Sequence, residues 1–499
     1  MGWQLLSIGV FYLLILLVGL YAAGRRNEDG TTSGLLLANR GLPLWIGVFT
    51  MVATWVGGGY INGTAEAVYD SQRGLVWTMA PWGYALSMAI GGLFFARRMR
   101  RMNFTTLLDP FEIRYGKRVA AALFLPALVG EVFWSAAILV ALGTTFGTVL
   151  GFDVSASILF SAAVAVGYTM VGGLRSVAYT DIVQLVCLVL GLCIAIPFAI
   201  RNVGGADAVM TGYLAEMTSF PSGTGVWLWF DMALLLILGG IPWQVYFQRV
   251  LASKDEQTAM RLSLIGAVGC LLMAVPAVIL GAVGAVADWG STGVDPSEQP
   301  AMILPYVLRH LTPPIVATVG LGAVAAAVMS SVDSSILSAS SMFAWNVYRP
   351  LVRKSASDRE LRYVVRIAIL VVGLAATGLA LSVQSVYVLW YLCADLVYVV
   401  LFPQLLMVLF SRHANRTGAI TGALMGLLLR LGGGEPMIGL PAFIPYPWQG
   451  PGGSDFPFRT FAMLTGLLTI WLISRVTGKI DPPQPLAEAA KQDCSPSAE

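Results

Sequence analysis

Charged side chains are scarce in this sequence. Lys, Arg, Asp and Glu together make up 11% of its 499 residues, whereas apolar residues make up 57%. A soluble globular protein carries roughly 25% charged residues. Because so few charges cannot cover a water-facing surface, the composition excludes a soluble protein and predicts an integral membrane protein.

Cysteine and histidine are also rare, and their positions exclude several kinds of site. The chain has 5 cysteines, all but Cys494 within apolar runs, so we expect no disulfide framework. The 2 histidines, His310 and His413, are too far apart for a metal-ligand motif. No nucleophile–base pair is apparent, so we predict no enzyme and no cofactor. The net charge of +3 is too small to indicate nucleic-acid binding.

Long apolar runs, by contrast, follow one another along the chain. A run of about 18 residues can cross a bilayer as a helix, and counting such runs predicts an all-α polytopic fold with about 13 membrane-spanning helices. Their approximate spans are 4–24, 43–66, 75–96, 119–150, 153–172, 178–200, 225–248, 263–287, 311–345, 365–384, 386–411, 417–433 and 459–476. We assign residues 1–480 to a single transmembrane domain in contact with the lipid bilayer and expect residues 481–499 to form a disordered cytoplasmic tail.

The basic residues predict the orientation of these helices. With the N-terminus outside, 25 of the 30 Lys and Arg residues, Arg249 among them, fall on one side of the membrane. The exceptions are Arg73, Arg201, Arg309, Arg430 and Arg459. Because basic loops stay on the cytoplasmic side, the bias predicts an extracellular N-terminus and a cytoplasmic C-terminus.

Two of the runs contain helix-breaking residues in mid-membrane. These residues are Gly57, Gly58 and Gly59 in the second run and Gly239, Gly240 and Pro242 in the seventh. Unwound backbone is tolerated in a bilayer only where it lines a cavity or meets a ligand. The two breaks lie five helices apart, where an inverted repeat of five plus five helices would have its central binding site. The alternative is that the glycines only permit close helix packing.

Oxygen donors beside the first break suggest a cation site. Ala327, Ser330 and Ser331 lie on one face of the ninth helix, at i, i+3 and i+4. With the carbonyls of Ala53 and Val56 they offer five oxygens, a set that suits sodium. The alternative is that the two serines only form hydrogen bonds between helices.

A second group of polar residues could form another cation site. Its members are Thr54, Asp181, Asp333 and Ser334. Intramembrane carboxylates are expensive and are usually functional. Asp181 could instead cap the N-terminus of the sixth helix. We assign no role to Glu66 and Asp395.

Aromatic residues near the breaks suggest that the transported solute is a quaternary ammonium. Most of the 14 tryptophans lie near helix ends, as interface anchors do. Trp55 and Trp134 lie in mid-span, and Trp243 follows the second break, whereas Tyr84 and Trp390 fit either an interface or a buried position. A quaternary ammonium cannot donate hydrogen bonds, so aromatic faces are its natural host.

One motif identifies a family. The pattern Gly-Gly-Leu-x-x-Val-x-x-Thr-Asp-x-x-Gln, from Gly172 to Gln184, resembles the sodium/solute symporter family, which includes the sodium/glucose cotransporters. Segments 54–69, 238–251 and 327–343 are most similar to the branch of that family that carries choline. The similarity extends from about residue 9 to residue 476.

The resemblance implies a LeuT-like fold of five plus five helices. Helix 4–24 would lead, the inverted repeats would span about 43–200 and 225–384, and trailing helices would occupy about 386–476. It also implies sodium-coupled, chloride-dependent import of choline by alternating access. The protein would lie in the plasma membrane of presynaptic terminals and supply acetylcholine synthesis.

The resemblance also assigns roles to the residues above. The implied choline cage is Trp55, Tyr84, Trp134, Trp243 and Trp390. The implied common sodium site is Ala53, Val56, Ala327, Ser330 and Ser331, and the second is Thr54, Asp181, Asp333 and Ser334. No residue is assigned to chloride.

The sequence leaves two alternatives to choline symport. The same fold could carry a different small solute, such as betaine or proline. A channel or a ligand-sensing receptor is disfavoured, because the sequence shows neither a pore-lining charge ring or filter motif nor a signalling domain.

Overall fold

The computed structural model describes residues 32–150, 153–171, 173–216, 220–383, 385–435, 439–450 and 453–486, together with Leu17. Apart from Leu17, the predicted leading helix 4–24 lies outside the described residues. Residues 487–499 of the predicted tail also lie outside them.

Helices dominate the described chain and are numbered here in chain order. The first half contains α1 (Thr32–Leu37), α2 (Leu44–Trp55), α3 (Gly58–Tyr69), α4 (Gly74–Arg101, with a short interruption after Trp77), α5 (Asp109–Tyr115), α6 (Lys117–Leu150), α7 (Val154–Val171), α8 (Leu174–Asn202) and α9 (Ala206–Glu216). The second half contains α10 (Gly225–Gly239), α11 (Gln244–Ala252), α12 (Glu256–Val286), α13 (Ile303–Leu311), α14 (Pro314–Met342, continuing through Phe343–Val352), α15 (Asp358–Ser382), α16 (Val386–Leu396, continuing through Val397–Leu401 and Phe402–Phe410), α17 (Arg416–Gly432) and α18 (Phe458–Thr477).

The membrane-spanning helices agree with the apolar runs. Within the described residues, 9 helices are long and apolar enough to cross a bilayer, and α2 with α3 forms a further span bent by 48°. Two shorter helices, α7 and α17, correspond to the remaining predicted runs. Every predicted helix after the first therefore has a counterpart in the described part of the chain.

The repeat bounds of about 43–200 and 225–384 stay a prediction, and the helices allow only a count of spans. Five spans counted from α10 and α11 extend through α16 to Phe410, beyond the expected boundary near residue 384. Two helices, α17 and α18, then follow as trailing helices.

Two further details concern the C-terminal part of the chain. A two-residue antiparallel pair, β1 (Gln449–Gly450) and β2 (Gly453–Ser454), lies in the loop before α18. The ordered domain also extends past residue 480. Asp481 accepts hydrogen bonds from the backbone N and side chain of Thr417 at 2.7 and 2.8 Å, and Leu486 is buried.

One helix forms the centre of the molecule. Every residue of α14 from Ala323 to Met342 is buried. A helix that is apolar or small on all faces can be enclosed by neighbours in this way. Because α14 carries Ala327, Ser330, Ser331, Asp333 and Ser334, its burial places these groups inside the protein.

Candidate functional site

The first break lies between α2 and α3. Val56 and Gly57 leave the helix, and Gly57 has an extended backbone with φ −81° and ψ −173°. A Cβ added at Gly57 would lie 1.6 Å from Ser331 Oγ, and one at Gly58 would lie 2.0 Å from Val328 Cγ2. Gly58 and Gly59 belong to the first turn of α3. The glycines therefore provide both a break and a close approach to α14.

The second break lies between α10 and α11. Gly239 ends α10, and residues 240–243 connect it to Gln244. The indole Nε1 of Trp243 donates to the carbonyl oxygen of Gly239 at 2.7 Å, which satisfies a carbonyl that the helix end leaves open. A Cβ at Gly240 would lie 2.9 Å from the Tyr84 ring. The second break is therefore in direct contact with a predicted cage residue.

The structure brings the predicted sodium ligands together. The break interrupts helical hydrogen bonding near Ala53 and Val56, which turns their carbonyls into available acceptors. The Ala327 carbonyl lies 3.5 Å from the position of a Cβ on Gly57. Ser331 Oγ donates to the Thr54 carbonyl at 2.8 Å, and Ser330 Oγ donates to Asp181 Oδ1 at 2.6 Å. Both serines therefore form hydrogen bonds between helices, as the alternative to a sodium site predicts.

The second predicted cation site surrounds an arginine. Nη2 of Arg249 donates to Thr54 Oγ1 at 2.7 Å and to Ser334 Oγ at 2.5 Å. The same nitrogen lies 3.7 Å from Asp181 Oδ2, and both side chains have 0% exposure. Three of the four predicted ligands therefore converge on a guanidinium in this conformation.

Asp333 differs from the other three residues of that set. It accepts a hydrogen bond from Thr169 Oγ1 on α7 at 2.7 Å, and its Oδ2 has no hydrogen-bond partner among the described residues. Asp181 is not a helix cap, because α8 begins at Leu174 and Asp181 lies well inside it. Thr50 Oγ1 also donates to Asp181 Oδ2.

The five predicted cage residues form one continuous aromatic cluster. Trp55 is its centre, with ring centroids 4.9 Å from Tyr84, 5.8 Å from Trp134 and 6.4 Å from Trp243. Trp134 and Trp243 are 5.4 Å apart, and Tyr84 is 5.5 Å from Trp390. None of the five is more than 4% exposed, so Tyr84 and Trp390 are not interface anchors.

Two residues of this region were missed in the sequence. The pattern of basic residues predicts a cytoplasmic position for Arg249, but Arg249 lies in α11 and is fully buried. Glu131 lies in mid-span of α6, three residues before Trp134, and is 1% exposed. An intramembrane acid is a functional candidate by default, so its position within the fourth apolar run was an available signal.

Asp395, unassigned in the sequence, belongs to a separate charged cluster. It pairs with Arg430, and its Oδ2 lies 3.7 Å from Arg459 Nε. Arg430 also bonds Glu435 at 2.6 Å, and Arg459 lies 3.7 Å from Asp231. These pairs connect α16 and α10 to the two trailing helices. Glu66 Oε1 accepts from Ser385 Oγ at 3.5 Å.

Two broken spans in a membrane fold, with buried oxygen groups beside one break and a buried aromatic cluster in contact with both, are typical of a secondary transporter. The chain belongs to the sodium:solute symporter family, whose model matches residues 35–426. It is 51% identical over 488 residues to high affinity choline transporter 1 of Homo sapiens, with 94% of this chain and 84% of that protein covered. It is also 50% identical over 480 residues to high-affinity choline transporter 1 of Drosophila melanogaster, covering 94% and 77%.

The fold is similar to that of solved transporters. A sodium-coupled sialic acid symporter, in a substrate-bound outward-open state, matches with a TM-score of 0.78 and 18% identity over 97% of this chain and 98% of that one. The predicted family and the LeuT-like fold are confirmed by these comparisons.

Proposed function

We propose that this protein is a sodium-coupled choline symporter that imports choline by alternating access. The observation that carries the proposal is the buried cluster of Trp55, Tyr84, Trp134, Trp243 and Trp390 beside two broken helices. The two relatives named above, both called choline transporters, support the same cargo.

The chemistry of the cluster suits a trimethylammonium group. This group carries a full charge but has no hydrogen to donate, so a host must offset its lost hydration by other means. Each aromatic face contributes about 0.5–2 kcal/mol, with the upper end reached in a desolvated site. Trp55, in contact with three other rings of the cluster, is the side chain on which we expect choline binding to depend most.

The sequence around the first break suggests how sodium and choline are coupled. Ala53 and Val56 supply sodium ligands through their carbonyls, and Trp55 lies between them in the chain. A sodium ion held by these carbonyls and by Ala327, Ser330 and Ser331 would join α2 to α14. Such an ion would fix the backbone conformation at Trp55. Sodium would thereby stabilise the conformation of the protein that binds choline.

The second cation site requires a change in this conformation. Arg249 meets Thr54, Ser334 and Asp181, so a sodium ion at these oxygens would replace the guanidinium. We propose that a second sodium ion and Arg249 alternate at this position, with Asp333 nearby as a further carboxylate.

Several finer features belong to the same proposal. We place the protein in the plasma membrane of presynaptic terminals, with the N-terminus outside and the C-terminus in the cytoplasm, and the imported choline would supply acetylcholine synthesis. Chloride is a further co-substrate in this proposal. Replacing external chloride with gluconate tests the last point, since uptake should fall.

Uptake into proteoliposomes tests the proposal. Radiolabelled choline should accumulate with an inward sodium gradient and not with an equal potassium gradient. Sodium-independent accumulation would contradict the coupling. Betaine and proline should compete only weakly, and strong competition would favour the alternative cargo.

A pair of tryptophan variants tests the cage. Trp55→Ala should lower choline affinity by roughly tenfold or more, from the loss of the aromatic contacts. Trp227→Ala is the matched control, because Trp227 is 52% exposed and lies outside the cluster. Normal choline transport by Trp55→Ala would again favour another cargo.

A further inference from the structure

Glu131 is a buried carboxylate beside the aromatic cluster. It lies one helical turn before Trp134, so the two side chains share a face of α6. A Cβ on the adjacent Gly130 would lie 3.5 Å from the Trp243 ring and 3.0 Å from the Cys393 carbonyl. The Cys393 thiol in turn donates to the Trp390 carbonyl at 2.8 Å. Gly130, the residue before Glu131, thus packs beside Trp243 and beside the turn of α16 that carries Trp390, so the backbone of Glu131 lies next to the aromatic cluster.

One serine contacts the carboxylate of Glu131 directly, and the Val245 backbone amide and the Arg249 guanidinium lie near enough to interact with it. Oε2 accepts from Ser335 Oγ of α14 at 2.6 Å, and Ser135 Oγ donates to the Ser335 hydroxyl at 3.0 Å. Oε1 is buried and makes no hydrogen bond to a described residue. A buried charged group without a full set of partners is costly, unless something present at another stage of the cycle offsets it.

The charges around the two breaks do not balance. Among the residues whose side chains the structure describes, Glu131, Asp181 and Asp333 are carboxylates near the breaks with at most 1% exposure, and Arg249 is the basic group buried with them. Asp181 faces Arg249 directly at 3.7 Å. If all are ionised, three negative charges against one positive leave two negative charges for bound cations. In this conformation, in which Arg249 occupies the second cation site, one sodium ion at the first site and a quaternary ammonium are together such a pair.

We propose that Glu131 is the specificity residue that makes the site select a cationic cargo. Its negative charge would attract the trimethylammonium group electrostatically through the intervening indole rings. The aromatic faces would set the shape of the site. This inference rests on the proposed function, because it takes a quaternary ammonium as the cargo. It adds a source of charge selectivity that the aromatic rings alone do not provide, since a ring also binds a neutral group of the same shape.

A neutral isostere of choline separates these contributions. In this compound a tert-butyl carbon replaces the nitrogen, so its shape is retained and its charge is lost. Binding of both compounds to purified protein in nanodiscs with sodium can be measured by displacement of radiolabelled choline and by quenching of tryptophan fluorescence. Wild-type protein should prefer choline strongly. Glu131→Gln should weaken choline binding by about tenfold or more and leave the affinity for the isostere unchanged.

Two further variants complete the experiment. Glu131→Asp keeps the charge one methylene further away and should retain an intermediate preference for choline. Glu256→Gln is the matched control, because it removes a carboxylate that pairs with an exposed Arg101 and should leave both affinities unchanged. Equal weakening of both ligands by Glu131→Gln, or no change in either, would overturn the proposal. Failure of wild-type protein to bind choline in sodium would overturn the proposed function itself.

Discussion

The guanidinium of Arg249 lies 3.7 Å from a carboxylate oxygen of Asp181, and neither side chain has any exposed surface. Thr50 and Ser330 also donate hydrogen bonds to Asp181, and Thr54 and Ser334 accept hydrogen bonds from Arg249. The pair therefore links α8 on one side with α2, α11 and α14 on the other.

Breaking this pair should destabilise the protein. Removing one partner of a buried ion pair typically costs about 3–5 kcal/mol, and here Arg249 would lose the carboxylate that faces it directly. We expect Asp181→Asn to lower the thermal unfolding temperature of the detergent-solubilised protein and to abolish sodium-driven uptake.

The double variant Asp181→Asn with Arg249→Gln separates stability from transport. It removes both charges, so the unfolding temperature should recover while uptake remains absent. A double variant as unstable as Asp181→Asn alone would show that the charge pair is not the cause of the instability.

The serines of α14 test the first sodium site. Ser330→Ala and Ser331→Ala each remove one of the five proposed ligands, and each should raise the sodium concentration for half-maximal uptake by about tenfold, equivalent to about 1.4 kcal/mol. Uptake should recover at high sodium. The measurement is choline uptake as a function of external sodium at constant ionic strength.

The same helix offers matched controls for these variants. Ser340 Oγ and Ser341 Oγ donate to carbonyls of their own helix, Ile336 at 2.7 Å and Leu337 at 2.6 Å. Their alanine variants should leave the sodium dependence unchanged. A similar shift in all four variants would indicate a general effect on α14 and no specific ligand role.

Several parts of this architecture could be predicted from the sequence, for physical reasons that are local. The membrane-spanning helices after residue 40 follow from the length of apolar runs, and the breaks follow from residues such as Gly57 and Pro242. The cluster around Trp55 followed from mid-span position combined with family motifs. These signals lie within single segments of the chain.

The position of Arg249 could not be predicted in this way. Five residues beyond Gln244, it looks like the basic end of a span, and nothing local shows that α11 turns it inward. Its location depends on tertiary contacts with Asp181, Thr54 and Ser334, which come from three other helices.

Asp395 should be essential for the attachment of the trailing helices. Its carboxylate meets Arg430 of α17 and Arg459 of α18, whose side chains are 3% and 14% exposed. We expect Asp395→Asn to lower the unfolding temperature, because two arginines lose part of their neutralisation. Asp70→Asn is the control, since the Asp70–Arg73 pair is partly exposed and such pairs contribute about 0–1 kcal/mol. Equal unfolding temperatures of the two variants would contradict the prediction.

The close approach of α14 to the first break gives the last prediction. A Cβ at Gly57 would lie 1.6 Å from Ser331 Oγ and 2.5 Å from its Cβ, distances at which the chain must move. Overpacking of a buried contact costs about 1–3 kcal/mol, and here the displaced groups are proposed sodium ligands. Gly57→Ala should therefore lower the unfolding temperature and abolish uptake even at high sodium. Gly322→Ala, where a Cβ meets nothing within 4 Å, should leave uptake unchanged. Wild-type sodium dependence in Gly57→Ala would exclude a sodium site formed jointly by the break and Ser331.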